Sequence, residues 1–300
     1  MSDRIVKNIE LYKSAIFSYV YRLIGSVEDA KDITQETMLK YISLRENNIE
    51  NTKAWMFKVA TNLSLDFFKS AKTKREKYIG PWLPEPYIDE TKTVEEDIEI
   101  DESISVALLV LLEKLSPYER ISYILHDLFE FKHKEIATIL NISVENSRKL
   151  TSRANKKLVE NKKSFSPTAK EQISLTKAFI EAAKNGNFDN LMLLFASEVK
   201  LHSDGGGKAI AAKKIICRDN KFISKFLQKV ISSLFAKNEN SIELKTFWFN
   251  GALGILQIEE NKITTSYHFE IESSKIVSIF ALRNPDKLKY FACHIKNRVY

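Results

Sequence analysis

Residues 132–158, KHKEIATILNISVENSRKLTSRANKKL, decide how the middle of this 300-residue chain folds. Apolar residues recur at helical spacing over positions 136–140, and Asn141 with Ile142 predicts a turn. Ser143 suits the N-cap of a second helix, because its hydroxyl can accept a backbone N–H that has no partner inside the helix. The pattern therefore predicts two helices joined by a short turn.

The second of these helices has one cationic face. Val144, Ser147 and either Leu150 or Thr151 are expected to face the core. Cations on the opposite face suit DNA phosphates, and polar side chains beside them can reach base edges in the major groove. These outward cations are Arg148, Lys149, Arg153, Lys156 and Lys157.

Charge divides the chain into segments. The composition is that of a globular protein, with 44% hydrophobic and 28% charged residues and a net charge of +7. Residues 78–104, however, hold nine acidic side chains and one lysine. A basic chain interrupted by an acidic segment predicts separate modules. We expect domains at 1–77, 105–165 and 169–300, with a Pro-containing acidic linker at 78–104.

Signals for disulfides, metals and membranes are missing from the sequence. Cys217 and Cys293 are the two cysteines, and no CxxC or Cys/His cluster is present, so we expect no disulfide framework, metal or cofactor. The apolar run at 15–25 contains Arg22 and is too short to cross a bilayer. No signal-peptide pattern is seen, and we expect a cytoplasmic protein.

Periodicity predicts the other elements. The helices expected in the first third lie at about 5–24, 27–45 and 52–75. Ser116 with Pro117 begins a further helix. The helices expected after residue 168 lie at about 170–185, 188–196 and 219–235. The expected strands lie at 242–250, 253–259, 262–271 and 275–283, and they predict an antiparallel meander in an α+β domain.

The second helix carries a candidate docking surface. Asp29, Asp32 and Glu36 fall within one arc, and Leu39 lies beside them. An apolar side chain among carboxylates is typical of an interface, whereas the carboxylates alone would indicate a solvated face.

The third helix carries a mixed polar stripe. Trp55, Lys58, Asn62, Asp66 and Lys69 lie away from its expected core, behind an Asn-rich loop. An aromatic ring, amides and cations can hold unstacked bases of a single strand. Packing of the tryptophan and solvation of the lysines explains the same stripe equally well.

Together these segments resemble a known family. Residues 29–42, DAKDITQETMLKYI, and 54–76, AWMFKVATNLSLDFFKSAKTKRE, are similar to region 2 of bacterial extracytoplasmic-function sigma factors, and residues 112–158 are similar to their region 4. The resemblance implies core RNA polymerase as a partner, through the β′ clamp helices and the β flap. The implied polymerase-binding residues are Asp29, Asp32, Gln35, Glu36 and Leu39.

The same resemblance implies two promoter sites. Region 2 would capture the −10 element through Asn47, Asn48, Trp55, Lys58, Asn62, Asp66, Lys69, Lys72 and Arg75. Region 4 would read the −35 element through Ser143, Glu145, Asn146, Arg148, Lys149, Ser152, Arg153 and Lys156.

Three further motifs resemble a subgroup with a SnoaL-like C-terminal extension and no classical anti-sigma partner. They are GPWLPEP (80–86), DGGGK (204–208) and NPDKL (284–288). Pro-Trp-Leu-Pro is a stiff apolar hook that can dock on another domain, and the glycines permit close backbone approach. The expected interdomain regulatory residues are Trp82, Leu83, Pro84, Glu85, Pro86, Asp204, Gly205, Gly206, Gly207, Lys208, Asn284, Pro285, Asp286, Lys287 and Leu288.

The implied fold class is multidomain, with a region 2 helical bundle and a region 4 helix-turn-helix, both all-α, before an α+β SnoaL-like cone-shaped domain. Some SnoaL-like proteins are enzymes, and the acid or base candidates here are His202, Asp204 and His268. The inward strand faces nevertheless look apolar and aromatic, without an acid–base dyad. The aromatic residues are Phe247, Phe249, Tyr267 and Phe269. We expect no catalysis and leave a small-molecule ligand of this domain open.

We therefore predict a non-enzymatic sigma factor, monomeric when free, that binds core RNA polymerase and promoter DNA under control of its C-terminal domain. Two alternatives stay open at this point. A ligand-responsive helix-turn-helix regulator would not need the Asp32, Gln35 and Glu36 face. A SnoaL-like enzyme fused to a DNA-binding module would need a pocket lined by acid–base groups.

Overall fold

The computed structural model describes residues 3–44, 49–76, 78–88, 105–159, 167–237 and 242–295. The chain forms two compact units. The helical unit comprises residues 1–76 and 108–163, and the C-terminal unit comprises residues 77–107 and 164–300. Both expected helical domains thus belong to one unit, and the segment that joins them along the chain belongs to the other.

Three helices begin the helical unit: α1 (Asp3–Ile24), α2 (Val27–Ile42) and α3 (Thr52–Glu76). Gly25, with a φ of 72°, ends α1, and the Ser26 hydroxyl caps α2 by accepting from the Asp29 N–H at 3.4 Å. Their shared core includes Tyr19, whose hydroxyl pairs with Thr61 Oγ1 at 2.7 Å. Burial raises the pKa of Tyr19, so this hydroxyl stays protonated.

The helix-turn-helix has the predicted form. The elements are α4 (Val106–Leu112), α5 (Pro117–Tyr123), a π-helical turn (Ile124–Leu128), α6 (His133–Leu140) and α7 (Val144–Val159). Asn141 ends α6 in the left-handed region, with a φ of 54°. The Ser143 hydroxyl accepts from the Asn146 N–H at 3.1 Å, which confirms the predicted cap of α7.

Aromatic packing joins the first three helices to the helix-turn-helix. The ring of Phe129 lies 5.7 Å from Tyr19 and 5.4 Å from Phe57, and Phe131 lies 4.9 Å from Phe57. Arg120 of α5, which is 3% exposed, donates to the Leu23 carbonyl at 2.6 Å. This packing joins residues far apart in the sequence and was not predicted.

The C-terminal unit is a six-stranded sheet with helices. The strands are β1 (Phe195–Asp204), β2 (Ile216–Asp219), β3 (Ile242–Phe249), β4 (Ala252–Glu259), β5 (Lys262–Glu272) and β6 (Lys275–Leu282). The helices are α8 (Ala169–Lys184), α9 (Phe188–Leu194), α10 (Asn220–Lys237) and α11 (Pro285–Ile295). The strand order is β2-β1-β6-β5-β4-β3.

The predicted meander is correct for β3 to β6 but incomplete. β1 pairs in parallel with β6, so the sheet is mixed rather than wholly antiparallel. The helix expected at 188–196 ends at Leu194, because Phe195 already begins β1. Charged residues within FASEVKLHSD and within the short strand ICRD obscured their alternation, and α11 was also not predicted.

The aromatic residues expected on the inward strand faces occupy both faces of the sheet. Tyr267 and Phe269 face Phe179 of α8, with the ring of Phe269 4.9 Å away. Phe249 faces His268 and Phe291 of α11, at 4.9 and 5.5 Å. Neighbouring positions on β5 point to opposite sides, so Tyr267 and His268 cannot share a face.

Candidate functional site

The predicted docking surface of α2 is open to solvent in the helical unit. Asp32, Gln35 and Glu36 are exposed, and the Leu39 side chain is 56% exposed. Asp29 is half-buried at the start of the same arc. The opposite face holds Ile33, Thr37, Met38 and Tyr41 in the core. The sequence pattern therefore separated the two faces of this helix correctly.

The stripe on α3 is exposed over most of its length. Lys58, Asn62, Asp66 and Lys69 are exposed. The Asp66 carboxylate lies 2.7 Å from Lys69 Nζ, and this hydrogen bond raises the pKa of Lys69. One face of α3 therefore presents two ammonium groups, an amide and a carboxylate to solvent.

The remaining residues predicted to contact the −10 element are Trp55, Asn47, Asn48, Lys72 and Arg75. Trp55 is half-buried, and its ring lies 5.9 Å from that of Tyr41, so it packs against α2. Asn47 and Asn48 lie outside the described residues. Lys72 and Arg75 belong to α3, but their side chains are also outside the described part.

The predicted DNA-reading face of α7 is formed almost as expected. Ser147 and Thr151 are buried, with Val144 and Leu150 half-buried beside them. The exposed members of the predicted −35 set are Ser143, Glu145, Asn146, Arg148, Lys149, Ser152, Arg153 and Lys156. Lys149 forms an ion pair with Glu145 at 2.6 Å, one turn earlier.

Lys157 is exposed like the other predicted outward cations, but its ion pair is with a different helix. Its Nζ lies 2.7 Å from the carboxylate of Glu119, a side chain that is 7% exposed. Burial acts to raise the pKa of Glu119, but hydrogen bonds from Lys157 and Ser116 outweigh it, and the net shift is downward. Lys157 therefore holds α7 to α5 and is not part of the free cationic face.

Within the C-terminal unit, the three separate motifs meet at the Asp204 carboxylate. Oδ1 accepts from the Tyr78 hydroxyl at 2.6 Å and from the Gly206 N–H at 3.0 Å. Oδ2 accepts from the Leu83 N–H at 2.9 Å and from Lys287 Nζ at 2.7 Å. Asp204 is completely buried, so these four donors replace its hydration shell. Burial and the bond to Asp204 raise the pKa of Tyr78.

Lys287 also contacts the hook directly, at Leu83 and Trp82. Its Nζ donates to the Leu83 carbonyl at 2.5 Å and lies 4.1 Å above the Trp82 ring. A buried ammonium beside a carboxylate, a carbonyl and an indole face is well compensated. Asn284 completes the group by donating to the Tyr78 hydroxyl at 2.8 Å.

Gly206 and Gly207 are in the left-handed region, with φ values of 57° and 72°. A Cβ on Gly206 would lie 2.3 Å from Asn284 Nδ2, and one on Gly207 would lie 2.9 Å from Cδ1 of Ile79. The loop thus needs glycine both for conformation and for space. On the rim, Lys208 pairs with Asp286.

Tyr87 and Ile88, which follow the hook, lie beside β3 at one edge of the sheet. Tyr87 N–H donates to Asn250 Oδ1 at 2.7 Å, and the Asn250 N–H donates back to the Tyr87 carbonyl at 3.0 Å. Ile88 forms an isolated bridge with Phe249 of β3. The hook was predicted from its sequence motif, whereas its anchors Tyr78, Tyr87 and Asn250 were not.

The acid–base candidates are not arranged for catalysis. Asp204 is used by the hook, and His268 pairs with the Ser266 hydroxyl at 2.5 Å. Burial lowers the pKa of His268 to about 3, which keeps it neutral near neutral pH. His202 packs on Phe280 at 4.8 Å. Across the described residues, no three His, Cys, Asp or Glu side chains form a metal site, and no described helix could span a membrane.

Two known protein families match the helical unit. The sigma-70 region 2 family matches residues 9–74, and the sigma-70 region 4 family matches residues 105–158. The first match contains α2 and most of α3, and the second contains the helix-turn-helix. The two family matches thus cover both parts of the helical unit, with region 2 before region 4.

Similarity extends through the C-terminal unit. The chain is 30% identical over 302 residues to the ECF RNA polymerase sigma factor SigJ of Mycobacterium tuberculosis, covering 94% of this chain and 92% of that protein. The crystal structure of M. tuberculosis SigJ superposes with a TM-score of 0.72 over 95% of this chain and 98% of that chain, at 27% identity. SigW of Bacillus subtilis is 28% identical over 160 residues, covering 47% of this chain and 80% of that protein.

The molecule is therefore a sigma factor, a non-enzymatic subunit that directs RNA polymerase to promoters. It belongs to the extracytoplasmic-function family, in the SigJ type with an α+β C-terminal region. The predicted fold class and function are confirmed, with core RNA polymerase and promoter DNA as partners. The cytoplasmic location stays a prediction.

Proposed function

We propose that the exposed face of α2 is the surface that docks on the clamp helices of the polymerase β′ subunit. The observation that carries this proposal is Leu39, which is 56% exposed among Asp32, Gln35 and Glu36. An apolar anchor within a charged rim fits a helical partner with a basic surface and an apolar groove. The helix-turn-helix would contact the β flap, as family resemblance implies.

A pull-down with core polymerase tests this surface in the full-length chain. Asp32→Ala with Glu36→Ala should reduce retention of core polymerase by at least tenfold. Glu10→Ala with Glu181→Ala removes two other exposed carboxylates and is the matched control, which should bind normally. Equal retention of both variants would contradict the proposed docking face.

For promoter recognition we propose the exposed side chains of α3 at the −10 element and those of α7 at the −35 element. Arg148, Lys149, Arg153 and Lys156 supply cations for the DNA backbone. Asn146 and Ser152 supply neutral hydrogen-bonding groups beside them, which can address base edges.

Control of activity is proposed to depend on opening of the helical unit. The −10 and −35 positions differ by about 25 base pairs, or roughly 85 Å at about 3.4 Å per base pair. A compact body of about 130 residues has a radius of gyration of roughly 14 Å. The packed helical unit is thus too small to reach both elements, so the contacts of Phe129, Phe131 and Arg120 must separate for transcription.

Energy transfer between two labels tests this opening. Glu10→Cys on α1 and Lys134→Cys on α6, both at exposed positions, would carry the dyes in a Cys217→Ser, Cys293→Ser background. The label distance should increase when core polymerase is added. An unchanged distance in a transcribing complex would contradict the proposed opening.

The C-terminal domain is proposed to regulate this opening through the hook. Residues 78–88 follow α3 in the chain and are held by Asp204, Lys287 and Asn250. A docked hook removes residues 78–88 from the length of chain that can span the distance between regions 2 and 4. Release of the hook would return these residues to the connection and favour the open arrangement.

A further inference from the structure

The first turns of α10 expose an aromatic and cationic face that neither the sigma modules nor the hook uses. Phe222 is 46% exposed and Phe226 is 36% exposed, although the same helix buries Ile223 and Leu227 in the core. At about 100° per residue, the two rings lie side by side, one helical turn apart. Exposure of two phenylalanines on one helix stripe is unusual for a solvated face.

Lysines border the two rings. Lys221, Lys225 and Lys229 are exposed and lie along the adjoining stripe of α10. Because successive residues of a helix are about 100° apart, the rings and ammonium groups together cover an arc of about 140° on the helix surface. Among the described residues, none of these three ammonium groups lies within ion-pair distance of a carboxylate.

Cations continue into the preceding segment. Residues 213–229 contain six lysines and arginines and one acidic residue, Asp219. The Asp219 carboxylate is engaged in capping, because Oδ1 accepts from the Phe222 N–H at 2.8 Å. Ile215, which is 51% exposed, lies just before β2 and adds a further apolar side chain. The positive charge is therefore local and not neutralised within the segment.

We infer that this α10 face binds single-stranded DNA. Phenylalanine has no group that can bond a phosphate, but it offers a plane on which an unpaired base stacks, while the lysines attract the backbone. Promoter opening, the step that a sigma factor serves, produces such a strand. The inference assigns the C-terminal unit a direct contact with nucleic acid, in addition to regulation.

Other occupants fit the charge pattern less well. A symmetric contact between two copies would place the three lysines of one α10 against the three of the other, which like charges disfavour. An acidic protein surface would satisfy the lysines but would not explain two adjacent exposed rings as well as bases do.

Fluorescence anisotropy with a labelled 15-mer of deoxythymidine tests the inference in the full-length protein. Phe222→Ala with Phe226→Ala should weaken binding by about fivefold or more for each base unstacked. Lys221→Gln, Lys225→Gln and Lys229→Gln together should lower the slope of log affinity against log salt by about 2, from about 0.7 per contact.

The matched control is Lys170→Gln, Lys177→Gln and Lys184→Gln, which removes the same charge from exposed positions of α8 in the same unit. This control distinguishes a specific effect of the α10 face from an effect of net charge and from single-strand binding by region 2. Affinity and salt slope should stay close to those of the unchanged protein. If this control weakens binding as much as the α10 variants do, or if the α10 variants change nothing, the inference is wrong.

Photocrosslinking in the transcribing complex identifies the occupant. Phe222 is replaced by benzoylphenylalanine, with the same replacement at exposed Leu193 of α9 as control. Crosslinking of position 222 to a DNA strand supports the inference. Crosslinking to a polymerase subunit or to a second copy, or no product, overturns it. Because promoter-directed transcripts are measured in the same reactions, failure of the inference is distinguishable from failure of initiation.

Discussion

Asp204 and Lys287 form an ion pair of 2.7 Å in which the carboxylate is completely buried and the lysine side chain is only 8% exposed. Asp204 is the last residue of β1 and Lys287 lies in α11, and Leu83 of the hook bonds to both of them. A charge pair so far from water persists because Tyr78, Gly206 and Leu83 donate to the carboxylate and the Leu83 carbonyl accepts from the ammonium.

Asp204→Asn should destabilise the C-terminal unit by about 3–5 kcal/mol, because it leaves the buried ammonium of Lys287 without its counter-charge. Asp286→Asn is the control, since its pair with Lys208 is about half exposed and such pairs contribute about 0–1 kcal/mol. Chemical denaturation measures both. Similar losses in the two variants would contradict the role given to Asp204.

Gly206→Ala should loosen the hook more than its backbone conformation alone explains. The added methyl carbon would meet Asn284 at 2.3 Å, in addition to the cost of a φ of 57°. Gly186→Ala provides a control with a φ of 63° and nothing within 4 Å of the new Cβ. We expect a loss of about 1–2 kcal/mol at position 186 and more at position 206. Limited proteolysis within residues 78–104 should increase only in Gly206→Ala.

Arg148→Ala with Arg153→Ala should weaken promoter binding and lower its salt slope by about 2, as expected for two lost phosphate contacts. Lys157→Ala removes a cation from the same helix, but that cation is paired with Glu119. It should leave the salt slope near its original value while lowering thermal stability. Filter binding at several salt concentrations distinguishes the two results.

His268 should make the C-terminal unit less stable at mildly acidic pH. The pKa of its imidazole is about 3 in the folded protein, whereas an unperturbed histidine in the unfolded chain has a pKa of about 6.5. As the pH falls, the unfolded chain therefore binds a proton before the folded protein does. Stability is therefore complete above about pH 6.5 and decreases toward pH 3, by about 1.4 kcal/mol per pH unit.

Replacement by glutamine isolates this contribution. Between pH 6.5 and pH 5 the unchanged protein should lose about 2 kcal/mol more than His268→Gln, because the variant has no imidazole to protonate. Denaturant titration at both pH values gives the comparison. Equal losses would show that carboxylates elsewhere account for the acid sensitivity.

The helical unit was largely predictable because its signals are local. Ser116 with Pro117, and Ser143 after Asn141, mark helix boundaries within a few residues. Helical periodicity placed Leu39 and Arg148 on the exposed faces. Lys157 is exposed as expected, but its ion pair could not be predicted, because its partner Glu119 lies 38 residues away in the sequence.

Long-range pairings could not be read from the sequence. Tyr78 and Asp204 are separated by 126 positions, and nothing near Tyr78 indicates a buried carboxylate as its partner. The parallel pairing of β1 with β6 also joins distant segments. Phe129 and Phe131 resemble ordinary core residues, and only tertiary structure shows that they join region 2 to region 4.

Three distant segments of the chain meet at Asp204, and this contact limits how the C-terminal extension can be exchanged or lost during evolution. An exchange of genetic material that replaced only the C-terminal extension would leave Tyr78 and Leu83 facing a foreign loop. A loss of the extension would expose the apolar hook within the linker. The extension has thus ceased to be a removable attachment, and the linker and the extension are expected to pass through evolution as one heritable piece.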